Sequence, residues 1–255
     1  MCIFTGPVDV CNTSIFARRL AGHRSDRQCL VYQMHYASKS PVAMVLPIPV
    51  LRPNETDAIN FIDLKHYPDF FDHMHRAFPS RGGDLCLSAE PETLEVHKVG
   101  DFVASFVPTL DDFGRLDKVF RLADDVWDQI PQYKDFSFAV FQLSKTLSRS
   151  FWRKLTTQEV HPMAFEFRSR MDDTIFFPTI HIHDGHVEPL AKFDHALFFQ
   201  SDSIKLDETW RTTSQSAEAY LDVEKSRGTI DGQLPIHMRL LKGKLANEDT
   251  LIQPA

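Results

Sequence analysis

Positive charge is in short supply in this chain. It carries 28 Lys and Arg against 35 Asp and Glu, a formal net charge of −7. A phosphate backbone is bound through a basic patch. The richest basic stretches, Arg168 to Arg170 and Lys242 to Lys244, are short and broken, as solvated faces are. The balance argues against a nucleic-acid partner. Long apolar runs are missing too: no stretch of about 20 apolar residues could span a bilayer. The opening "MCIFTGPVDVCNTSIFARR" lacks the basic segment and continuous apolar segment of a secretory signal. Cysteine is sparse, with Cys2, Cys11, Cys29 and Cys86 at irregular spacings and no C-x-x-C pair. That pattern is neither a zinc ribbon nor a disulfide framework. The expectation is a cytoplasmic protein with reduced thiols. Trp and Tyr are also few, three and five, but Phe reaches 21, enough for a tightly packed aromatic core.

What is present reads mainly as strand. "TSIFARRL" (13–20), "RQCLVYQMHY" (27–36) and "PVAMVLPIPV" (41–50) are rich in β-branched and aromatic residues and separated by polar turns. Pro47 and Pro49 place the third of these at a strand end or an edge, because proline donates no ladder hydrogen bond. Further strands are expected in "FSFAVFQL" (136–143), "VHPMAFEFRS" (160–169), "TIFFPTIHIH" (174–183), "FDHALFFQ" (193–200) and "LPIHMRLLKGKL" (234–245). Residues 93–109 predict two strands around a turn at Gly100-Asp101. Helical spacing of Phe70, Phe71, Met74 and Phe78 predicts a helix after Pro68. A second helical zone is expected over 110–122, and a third over 214–226. Strands and helices do not alternate regularly, so the fold class expected is α+β, mainly antiparallel sheet with a few packed helices. Residues 1–200 form one core in this reading, with 201–255 adding a helix and a strand packed on it.

The early Cys before "PVDVCNTSIFAR", and "QCLVYQMHYASKSPVAMVLPIPV" after it, resemble a bacterial family of uncharacterised proteins with a similar early Cys and an ILPVP-like strand end. The resemblance extends over residues 2–183 and implies an intact fold of that kind, without a mechanism. Many members look secreted or surface-anchored, from which this sequence departs in having no recognisable signal segment.

The densest chemistry lies in "HIHDGHVE", residues 181–188. Asp184-Gly185 between two alternating runs signals a two-residue type I′ hairpin. Counting outward pairs His183 with His186, Ile182 with Val187, and His181 with Glu188. Opposed residues share a face, so His181, His183, His186 and Glu188 would point together and Ile182 and Val187 away. Three imidazoles and a carboxylate suit a divalent transition metal: zinc, iron, manganese or nickel. Such a metal would activate water or polarise an oxygen of a small-molecule substrate or ligand. The alternatives for the same residues are a polar turn whose histidines titrate near neutral pH and a metal-free polar pocket. The H-x-H-x4-E spacing looks like the first metal motif of the cupin barrels, although Ile175 and His195 stand where that motif has glycine. His161 and His195 are further ligands if the sheet folds back. His73 and His75, two apart on a helix, point in different directions.

A competing reading starts at the second residue. Removal of Met1 would leave Cys2 with a free α-amino group, so that one residue supplies both nucleophile and base. The start looks like the bile-salt and penicillin acylase branch of the N-terminal-nucleophile hydrolases. There "IFAR" puts Arg18 where it would lower a thiol pKa. Leu20, Ala21 and Gly22 occupy the stretch where that branch has an aspartate. This reading makes the protein an amide hydrolase with Cys2 and Arg18 as its catalytic pair. A third class is a non-catalytic binding or scaffold protein, for which "VPTLDDF", "DVWDQIPQY" and "ALFF" would supply an aromatic surface.

Overall fold

The computed structural model describes residues 3–78, 97–99, 103–144, 158–201, 204 and 206–253. In chain order these hold β1 (Ile3–Phe4), β2 (Asp9–Arg19), β3 (Arg27–Ala37), β4 (Val42–Ile48), β5 (Ile59–Asp63) and α1 (Phe70–Arg76). There follow β6 (His97–Val99), β7 (Val103–Val107), α2 (Asp124–Gln129), β8 (Ser137–Leu143), β9 (Gln158–Val160) and β10 (Met163–Arg168). The last are β11 (Ile175–Phe177), β12 (Leu190–Gln200), β13 (Arg211–Thr212), β14 (His237–Ala246) and β15 (Thr250–Ile252).

A small sheet runs β1-β4-β8-β7, and a large one β13-β14-β12-β2-β3-β10-β5. Strands β9 and β6 extend from β3, and β11 pairs with β15. Pairing is antiparallel except for β2–β12 and β6–β9. The molecule is therefore mostly β, with fewer helices than a balanced α+β fold.

Burial explains the layering. Strand β3 is buried along nearly its whole length, so both faces must be covered. Leu30, Tyr32 and Met34 join Met44, Leu46, Phe141 and Phe165 in the core between the two sheets. Cys29 and Val31 face the other way, onto Phe70, Phe71 and Met74 of α1 and onto Ala217, Leu221, Ile230 and Ile236. The small sheet's outer face carries Ala43, Val45, Phe138 and Val140. It is covered by Phe113, Val126, Tyr133, Ile180 and Ile182.

Several elements differ from the sequence expectations. Residues 110–122 form two 3₁₀ turns, Leu110–Arg115 and Lys118–Phe120, and the helix comes later as α2. Phe113 packs on Phe138 as expected of an apolar face, but Gly114 and the Asp117 side chain, which accepts from the Val119 N–H, divide the segment. In 214–226 only a 3₁₀ turn at Ala217–Ala219 forms. There Tyr67, Gly232 and Leu234 engage the backbone N–H groups of Asp222, Glu218 and Ala217. Strands β6 and β7 enter different sheets, and the turn expected at Gly100-Asp101 lies outside the described residues. In the C-terminal part, β14 matches β12 over ten register pairs. Pro47 does lie within β4, but β1 pairs only with Met44 and Val45. At Pro47 the strand is therefore a local edge, as a residue without an N–H requires. No helix among the described residues is long and apolar enough to cross a membrane.

Phe165 is fully buried, with Phe61, Phe141 and Phe167 at ring distances of 6.1, 6.0 and 6.2 Å. Phe165→Ala is expected to cost about 3–5 kcal/mol of folding stability, read from urea unfolding. A loss below about 1 kcal/mol would show that this inter-sheet core is not close-packed.

Candidate functional site

The segment carrying His181 and His183 is held by groups distant in sequence. The Asp249 carboxylate accepts from the N–H groups of Thr179 and Ile180 at 2.9 and 3.2 Å and from the Tyr133 hydroxyl at 2.6 Å. Asn247 grips the next residue on both sides: its Oδ1 accepts from the His181 N–H at 2.7 Å and its Nδ2 donates to the His181 carbonyl at 2.9 Å. The same Nδ2 donates to the Glu188 carbonyl at 2.8 Å. From the opposite side, the Phe4 N–H donates to the Ile182 carbonyl at 2.9 Å, and Ile3 bridges Ile182.

These partners leave no room for the expected hairpin. The His181 N–H and C=O groups and the Glu188 carbonyl, which would pair in that hairpin, are committed to Asn247. Gly185 has φ +84 but Asp184 is not in the positive-φ region, whereas a type I′ turn needs both. The Asp184 side chain instead accepts from the His186 N–H at 3.1 Å. His186 and Glu188 are exposed in this turn, and the structure does not bring them to the other two histidines.

Alternation nevertheless survives without the hairpin. Ile180 and Ile182 bury into the outer core against the small sheet, so His181 and His183 turn the other way. His181 lies against Phe193 at 4.3 Å and His195 at 5.0 Å, both on β12. His181 and His183 are stacked at 5.4 Å, and His183 meets the Phe4 ring edge-on at 5.4 Å. His195 is 1% exposed and His181 9%. The result is a cluster of three imidazoles at one end of the inter-sheet core, walled by Phe4 and Phe193.

Two features of the cluster are unusual. The Nε2 atoms of His181 and His183 are buried and have no hydrogen-bond partner. A buried polar group left unpaired costs roughly 1–3 kcal/mol. Thr13 is the register partner of His195 across the parallel β2–β12 pair, and its buried hydroxyl likewise has no partner. Thr13 owes its place to a bulge between Cys11 and Ser14, where Asn12 adopts φ 52, a conformation asparagine tolerates. Secondly, burial outweighs the nearby charges: Asp184 and Asp9 act on His183 only as the lesser, opposing influence. Burial pushes His181 down to about 2 and His183 down to about 4. His195 lies well below its ordinary value, again through burial and then through the other two histidines. All three are therefore neutral imidazoles across the physiological range, the form that ligates metals.

Among the described residues, no group of three or more His, Cys, Asp or Glu side chains holds the arrangement of a formed metal site. Ring spacing is not the obstacle, since two imidazoles on one tetrahedral ion stand roughly 5 Å apart. Orientation is: the His181 and His183 planes differ by only 15°, so one ring must turn before both can point at one ion.

The remaining candidates lie elsewhere. Arg18 is buried, and its guanidinium donates to the carbonyls of Thr229 and Gly228 at 2.9 and 2.8 Å, with Asp231 at 3.7 Å. Its role in the structure is to fasten the 228–231 loop. Cys2 and Cys86 lie outside the described residues. His161 sits beside the Pro162 carbonyl. His73 contacts the Tyr67 hydroxyl and His75 the Ser14 hydroxyl, so these two diverge as their spacing predicts. The residue with the weakest sequence signal was Thr13, because a lone threonine in a strand has nothing to mark it. Comparisons with protein-family models, curated proteins and solved structures gave no match.

Neutral burial sets a pH dependence. The unfolded histidines take up protons near their ordinary value of about 6.5, which the folded cluster refuses. Stability is therefore expected to fall as pH drops below about 6.5 and to level off only below the folded values. His181→Phe, which keeps the volume and removes the titration, should flatten that slope by up to about 1.4 kcal/mol per pH unit, measured by urea unfolding from pH 7.5 to 4.5. An unchanged slope would mean that His181 is protonated in the fold.

Proposed function

We propose that the protein binds a divalent transition metal through His181, His183 and His195. The observation that carries this reading is the pair of buried, unpartnered Nε2 atoms on His181 and His183, next to a third neutral imidazole. A metal–nitrogen bond would replace the hydrogen bond each ring lacks. Three neutral nitrogens favour zinc, iron or nickel over hard cations that prefer oxygen, and a fourth position is left for water or a small-molecule ligand. The bound ion would supply Lewis acidity at that position. The residues around it would contribute shape and exclusion of water: Phe4 and Phe193 as walls, and the Thr13 hydroxyl as a donor or acceptor. His186 and Glu188 are not part of the set. The scarcity of cysteine fits a reducing, cytoplasmic setting.

The second reading is an amide hydrolase with Cys2, which lies outside the described residues, as nucleophile. The two readings part on reagent sensitivity, because a metal site responds to chelators and a thiol nucleophile to iodoacetamide.

The test is native mass spectrometry of the untagged protein after incubation with Zn²⁺, Fe²⁺, Mn²⁺ or Ni²⁺ and removal of the excess. One metal per chain is expected, lost in His181→Ala/His195→Ala and retained in His186→Ala/Glu188→Gln. An apo mass under all four metals would overturn the proposal, and so would retention by the His181/His195 variant.

A further inference from the structure

A second feature stands away from the histidines, where β14 and β15 meet the segment 206–210. A cleft of about 180 Å³ is lined there by Leu206, Asp207, Trp210, Arg239, Leu251 and Ile252, among others. Its floor is fixed, because the Trp210 indole is held edge-on by Phe199 at 4.8 Å. The Arg239 guanidinium lies over the Trp210 ring at 6.0 Å, the geometry of a cation–π contact. Arg239 is half-buried and makes no hydrogen bond or ion pair among the described residues. Every other arginine of the large sheet's strands is engaged: Arg18, Arg19, Arg27 and Arg168 donate to carbonyls or carboxylates, and Arg211 lies over the Phe78 ring and has a further partner. Leu251, on the rim, is 49% exposed.

We infer that this cleft binds a small carboxylate with a flat apolar body. Arg239, already oriented by the indole, presents a planar fork of N–H donors that matches a carboxylate. Leu206, Trp210 and Leu251 offer apolar contacts for one ring or short chain, beside the polar Thr250 and Gln253. The volume lies below the roughly 300–1,000 Å³ of sites for drug-sized ligands, which limits the occupant to a single ring or its equivalent. Asp207 also lines the cleft and already interacts electrostatically with Arg239, so its negative charge disfavours a dianion such as a phosphate monoester. A monocarboxylate is the anion that Arg239, the cation of the described lining, can hold beside it.

Benzoate and its neutral counterpart benzamide are the probes. The full chain, labelled with 5-fluorotryptophan, gives a ¹⁹F signal for Trp210 that Trp210→Phe assigns. Benzoate is expected to shift that signal saturably at millimolar concentration, with binding at least about tenfold weaker for benzamide and for Arg239→Gln, as loss of a charge-assisted hydrogen bond requires. The Trp127 signal, which lies in a separate core, should stay put. A matching unfolding midpoint for wild type and Arg239→Gln separates lost binding from lost folding. The proposal is overturned if benzoate produces no saturable Trp210 shift. Equal binding of benzamide, or undiminished binding by a folded Arg239→Gln, overturns it as well.

Discussion

The parallel pairing of β2 with β12 is the constraint on which the rest depends. It joins residues 13–18 to residues 195–200, so the ladder cannot close until the intervening chain has been placed. Closing it puts β2 between β12 and β3, and β14 on the far side of β12. One continuous sheet results, with apolar residues on both faces, and it must be covered twice. The small sheet covers one face, while α1 and the 213–236 segment cover the other. Arg18, near the end of the parallel ladder, ties the 228–231 loop to it through two carbonyls. That fastening holds the outer cover over Phe16 and Phe198.

The same pairing creates the histidine cluster. His195 faces the inter-sheet core because Phe193, Leu197 and Phe199 do, and strand alternation allows it no other direction. His181 and His183 arrive beside it on a segment outside the small and the large sheet, clamped by Asn247 and Asp249 from the β14–β15 turn. The imidazoles are thus imposed by two different elements, and the carboxylates that act on His183, Asp184 and Asp9, do not offset its burial. Burial then fixes their charge state: three rings in one apolar corner, with mutual repulsion if protonated, remain neutral. The cluster leaves two imidazole nitrogens buried without a hydrogen-bond partner, at a cost of roughly 1–3 kcal/mol each.

Much of the architecture was legible beforehand. The strands β2, β3, β4, β8, β10 and β12 fall within a few residues of where β-branched and aromatic runs place them, and α1 follows its Phe70, Phe71, Met74 spacing. The helices expected at 110–122 and 214–226 did not form. In both, apolar residues at helical steps are buried, but competing side-chain and long-range hydrogen bonds take the backbone donors that a helix would use. In the site, the common face of His181 and His183 was legible from alternation with Ile180 and Ile182. The partnership of His186 and Glu188 was not, since it relied on a turn type that Asp184-Gly185 adopts only when the flanking backbone is free.

The sequence by itself determined that the chain would be strand-dominated, rich in Phe at its core, and marked by a histidine-dense stretch around Asp184. Those properties are local: they follow from side-chain shape, period and composition. Tertiary structure alone decided that His195, and not His186 or Glu188, stands with His181 and His183. It likewise decided that Thr13 is the register partner of His195 and that Arg239 lies over the Trp210 ring. The physical reason is the same in each case. Which groups end up unpaired depends on where distant backbone donors and acceptors, such as Phe4, Asn247 and Asp249, find their hydrogen bonds, and no local pattern encodes that.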